Sequence, residues 1–110
     1  MISAQELKTI IDHDNVRVFD CRFSLKDPQG GINSFRAGHI PNAQHADMDT
    51  QLSAAMTATS GRHPLPEAEV FLQQIKDWGI NNDTQVIAYD DMSGAFAARL
   101  WWMMLSLIHI

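Results

Sequence analysis

With 110 residues, 45% of them apolar and 19% charged, the chain has the size and composition of one small globular domain and not of a disordered tail. Its formal charge of −5, with no run of Lys or Arg, argues against nucleic acid as a partner. A polar helical pattern directly after Met1, no segment long enough to span a membrane, and a lone Cys21 fit a protein of a reducing, cytoplasmic setting.

Ser3, with Glu6 three residues on, forms a capping-box pattern, and Leu7, Ile10 and Ile11 mark one face of the short helix that follows. "VRVFD" (16–20) alternates apolar and polar residues, a strand whose end delivers Asp20, Cys21 and Arg22. "SLKDPQGGINSF" is rich in turn formers and is expected to be an exposed loop, with Asp27-Pro28 and Gly30-Gly31 as breakers. Pro41 ends any helix near Ile40, and a short strand is expected at 43–46. Residues 49–66 are small and polar and read as a surface excursion.

Pro66 is placed at the first position of the next helix, with Glu67 and Glu69 in its first turn. Val70, Phe71, Ile75 and Trp78 are its expected buried side, and Gly79 its stop. "TQVIAYD" is the strongest strand pattern, and 94–107 the most apolar helix. Helices alternating with mostly buried strands predict one α/β domain built on a parallel sheet.

Ligands of such sheets sit beyond the carboxyl ends of the strands. Two ends qualify, Asp20-Cys21-Arg22 and the loop of Asp90, Asp91, Met92, Ser93 and Gly94, and both are expected to face one crevice. The second loop presents backbone N–H groups at a helix start, a cradle for negative charge, yet it begins with two carboxylates. Either the Asp90 carboxylate fills that cradle itself or Asp90 is an ordinary helix cap; the readings are compatible, and neither makes the loop catalytic. Arg22 beside Cys21 would favour a thiolate, but a small buried hydrophobe is the plainer reading, and no Arg follows at phosphatase-loop spacing.

His39, His45, His63 and Asp47 match no compact zinc pattern, so no metal is expected, and His39 is assigned to the backbone of its own turn. Arg99, inside an apolar helix, needs an acidic or carbonyl partner, with Asp20 and Asp90 as candidates and an anion-binding role as the rival. Trp101, Trp102, Met103 and Met104 are expected in the core or at a domain interface.

Four segments then occur in order: "DCR" (Asp20, Arg22), "FRAGHIPNA" (with Gly38, His39, Ile40 and Pro41), "HPLP" (63–66) and "VIAYDD…AARLWW" (with Arg99, Trp101 and Trp102). Together the chain resembles the rhodanese family, and more narrowly the first domain of two-domain thiosulfate and 3-mercaptopyruvate sulfurtransferases. The resemblance implies a rhodanese-like open parallel sheet flanked by helices, and no cofactor. In catalytic domains of that family a cysteine in the loop carries a persulfide; in first domains it is often replaced by Asp. Asp90 matches that position, so no catalytic residue is assigned here. The chemistry is expected on a second domain, moving sulfur from thiosulfate or 3-mercaptopyruvate to cyanide or a thiol.

The remaining motif residues are given structural roles. Asn42 stands where the family usually has Gly after "HIP", and Asn tolerates the positive φ such a turn needs. Family members continue past the "LWW" helix into another central strand, so the chain reads as a piece of a longer parent. Its "LWWMMLSLIHI", with no polar face at any helical spacing, is expected to be buried or to drive self-association. The rival reading is an inactive rhodanese-like interaction or regulatory module.

Overall fold

The computed structural model describes residues 2–24, 26–27, 29–53, 64–92 and 94–107; Ser93, His63 and most of the 49–66 excursion lie outside them. Ser3 caps α1 (Ala4–Ile10), accepting the Glu6 N–H at 3.1 Å while its hydroxyl donates to the Glu6 carboxylate at 3.0 Å. Ser3 is thus the cap the sequence expected, with Glu6 reaching back to its hydroxyl rather than to its backbone N–H. β1 (Val16–Asp20) lies between β2 (Gln44–His45) and β3 (Gln85–Tyr89) in a parallel sheet of order β2-β1-β3. The register pairs Val16 with Gln85 and Asp20 with both Tyr89 and His45.

Side chains alternating along β1 divide the core in two. Val16 and Val18 pack with Leu7, Ala43 and Ile87 under α1. Phe19 joins Phe71, Ile75 and Trp78 of α3 (Ala68–Asp77) and Leu100 and Met103 of α4 (Ala95–Leu107). Phe19 meets Trp78 with ring centres 4.8 Å apart, within the range of favourable tilted aromatic pairs.

Several expectations need correction. The "GGINSF" stretch is helical: α2 spans Gly30–Ala37. Two glycines disfavour a helix locally, but a Cβ on Gly31 would overlap the Arg22 carbonyl oxygen, so the close approach of α2 to the β1 end requires glycine there. Pro66 precedes the helix, with Glu67 in the cap position of α3. Val70 is 62% exposed, since Phe71 and Ile75 alone define the buried side of α3. Leu52, placed in a surface excursion by its polar neighbours, is fully buried. Trp101 and Trp102, expected in the core or at a domain interface, are 64% and 47% exposed, which removes the core and leaves the domain interface of that expectation. Met103 is the buried member of that run.

Candidate functional site

The crevice is built where β1 and β3 end side by side, tied by the Cys21 N–H donating to the Tyr89 carbonyl at 2.8 Å. Asp20 is fully buried there, and the Arg22 guanidinium closes back on it, Nε at 3.1 and 3.0 Å from the two oxygens and Nη2 at 2.6 Å. Nη2 also donates to the carbonyls of Gly38 at 2.6 Å and Ser34 at 3.2 Å, so the same arginine clamps the end of α2. A buried carboxylate survives only if paired and hydrogen-bonded, and this one is both. Burial pushes its carboxyl up, but the Arg22 bonds and the Tyr89 hydroxyl overrule that, and the group ends below the usual Asp range.

Tyr89 is the residue that sequence reasoning passed over. Its hydroxyl donates to Asp20 Oδ2 at 3.0 Å and accepts the Ile40 N–H at 3.2 Å, joining β3, β1 and the "HIP" turn. The available signal was a phenol at a strand end, where a Tyr tip needs a polar partner. Within that turn Asn42 adopts φ 68°, the left-handed conformation expected of it. His39 Nδ1 lies 2.7 Å from the Phe35 carbonyl and its ring stacks on Phe35 at 3.7 Å, a bond to its own turn as expected.

The β3 loop contains the cradle. Asp90 Oδ1 accepts the N–H groups of Met92 at 2.9 Å and Gly94 at 2.8 Å. Oδ2 accepts those of Phe96 and Ala97, both at 2.7 Å. Gly94 holds φ +85°, which turns the chain into α4. Burial raises the Asp90 carboxyl, but the four amides, led by Ala97, more than cancel it and the net shift is down. The carboxylate therefore fills the cradle and takes two first-turn N–H groups of α4, but Asp90 is not an ordinary helix cap, since it lies four residues before Gly94, the residue that precedes the helix. Asp91 and Met92 are exposed at the loop tip.

Cys21 follows Asp20 in the core and is 1% exposed. Burial, then Asp20 and Asp90, push its thiol up to about 12. A thiol held neutral and out of solvent is not a nucleophile. Arg99 finds the carbonyl kind of partner that the sequence allowed: Nε and Nη2 donate to the Leu52 carbonyl at 3.1 and 3.0 Å, anchoring the chain before residue 54 to α4. His45 and Asp47 approach only to 4.0 Å, and among the described residues no three His, Cys, Asp or Glu side chains converge as a metal-ligand set. No helix among the described residues is long and apolar enough to cross a membrane.

The family model for the rhodanese-like domain matches residues 3–109. A Pseudomonas aeruginosa protein named "Probable 3-mercaptopyruvate sulfurtransferase" is 41% identical over 105 residues, covering 94% of this chain and 37% of its own. "Thiosulfate/3-mercaptopyruvate sulfurtransferase 2" of Arabidopsis thaliana is 31% identical, with 94% and 30% covered. Among solved structures, 3-mercaptopyruvate sulfurtransferase from Leishmania major superimposes with a TM-score of 0.80 at 36% identity, covering 91% of this chain and 28% of that one. The chain thus spans about a third of the length of the curated relatives it matches. By sequence and by fold, this chain belongs to the rhodanese family.

Proposed function

We propose that the chain is the non-catalytic, N-terminal rhodanese-like domain of a cytoplasmic two-domain sulfurtransferase. The intact parent would move sulfane sulfur from thiosulfate or 3-mercaptopyruvate to cyanide or a thiol, through a cysteine persulfide on its second domain. The observation that carries this reading is the Asp90 carboxylate, which takes four loop amides on its two oxygens. Those amides would otherwise stabilise a thiolate or persulfide at that position. With a fixed negative charge in the cradle, a second anion there would meet repulsion, and these four amides are already taken. Asp90 then stands where the nucleophile has been lost, and Asp20, Arg22 and residues 38–41 serve the frame. The domain would supply packing to the rest of the parent and, by itself, would self-associate.

The test is sulfur transfer from thiosulfate, and separately from 3-mercaptopyruvate, to cyanide by this chain and by its Cys21→Ala variant. Neither protein is expected to form thiocyanate above the uncatalysed rate. Activity lost on changing Cys21 would overturn the assignment and make that buried thiol the carrier.

A further inference from the structure

We propose that, among the described residues, the Met92 thioether in the loop between β3 and α4 is the first sulfur to react with hydrogen peroxide, ahead of the Cys21 thiol. A thiol reacts through its thiolate and only where an oxidant can reach it. Cys21, the one cysteine of the chain, fails on both counts. It is 1% exposed, and with its thiol pushed up to about 12 almost none of it is ionised at neutral pH.

A thioether has no proton to lose, so access to solvent decides which methionine is oxidised. Met48 and Met103 are buried in the cluster around Phe19, and Met104 packs against the same cluster. Met92 is 56% exposed and belongs to neither core cluster. Its main chain is fixed on both sides. The Met92 N–H donates to Asp90 Oδ1 at 2.9 Å, and its carbonyl accepts the Ala95 N–H at 3.1 Å. The cradle that holds Asp90 therefore also holds the Met92 backbone, with the thioether on the solvent side.

The reaction is a two-electron oxygen transfer. A sulfur lone pair attacks one peroxide oxygen, the S–O bond forms and the O–O bond breaks. The departing hydroxide takes the proton left on the transferred oxygen and leaves as water. Sulfur is oxidised, peroxide is reduced, and the product is a methionine sulfoxide, which a methionine sulfoxide reductase can reverse. A sulfoxide is polar and would disrupt a core, but at Met92 it stays in water, so the fold is expected to keep its melting temperature.

The test is timed exposure of the folded chain to hydrogen peroxide, followed by unfolding, thiol alkylation and peptide mapping by tandem mass spectrometry. Met92 is expected to gain one oxygen at least about tenfold faster than Met48 or Met103, with Cys21 still recovered as a free thiol. The peptides of Met1 and Met56, which lie outside the described residues, are scored separately. Thermal melts of the same samples are expected to coincide with that of the untreated chain while Met92 alone is oxidised. Equal rates at Met92 and Met103 in a chain that melts normally, or loss of the Cys21 thiol ahead of Met92, would overturn the proposal. A melting temperature that falls in step with Met92 oxidation would overturn the placement of its side chain outside the core.

Discussion

Two aspartates end two neighbouring parallel strands, and the chain satisfies them in opposite ways. Asp20, fully buried, is held by a side chain: the Arg22 guanidinium reaches both of its oxygens. Asp90, at the rim, is held by main chain alone, four N–H groups from its own loop and the first turn of α4. A carboxylate paired with a cation ties distant segments together, here β1 to the end of α2 through Gly38 and Ser34. A carboxylate wrapped in amides organises only its own loop. The first is a device of the frame, and the second a device of its own loop.

The sharpest way to break that contrast is to remove each partner. Arg22→Ala strands a buried carboxylate and is expected to lower stability by about 3–5 kcal/mol, a large share of the total for a domain this small. Urea denaturation reads it as a drop in midpoint; an unchanged midpoint would mean that Tyr89 and the Arg22 amide suffice for Asp20. Asp90→Ala frees four amides at the rim, where water can reach some of them, and about 1–3 kcal/mol is expected by the same measurement. A larger loss than for Arg22→Ala would reverse the assignment of frame and loop.

Acid sharpens the comparison further. Both carboxyls lie below the ordinary Asp value in the folded state, so each contributes stability that is complete above about pH 4 and lost as pH falls through the lowered folded values. Stability is therefore expected to fall on acidification below about pH 4, and Asp90→Asn to flatten that slope in a pH series of denaturation midpoints. An unaltered slope would mean that Asp90 is not ionised in its cradle. The smallest effect is expected at the "HIP" turn. With φ 68° at Asn42, Asn42→Ala is expected to cost about 1 kcal/mol, and Asn42→Gly to fall within a few tenths of the parent. Equal melting temperatures for the two would show that the turn relaxes.

Much of this arrangement was legible in one dimension. Alternation in "VRVFD", the run "VIAY" and the capping box at Ser3 identify their elements because local period and local hydrogen bonding decide them. The Asp90 carboxylate in its amide cradle was legible for the same reason, since its four donors lie within seven residues along the chain. Where the reading failed, the deciding contact was distant. α2 carries glycine at 30 and 31 because a Cβ there would run into Ser24 and the Arg22 carbonyl, contacts that no local propensity reports. Arg99 takes a carbonyl 47 residues away in sequence, and Leu52 is drawn into the core beside it.

The sequence by itself determined the order of the elements other than α2, the parallel α/β class and the rhodanese membership, since each depends on short-range pattern and on motifs read in order. Only the tertiary structure decided that Tyr89 joins two strand ends to the "HIP" turn, that Leu52 enters the core, and that Trp101 and Trp102 are exposed. Those facts depend on which surfaces meet when the sheet forms, and no local period encodes them.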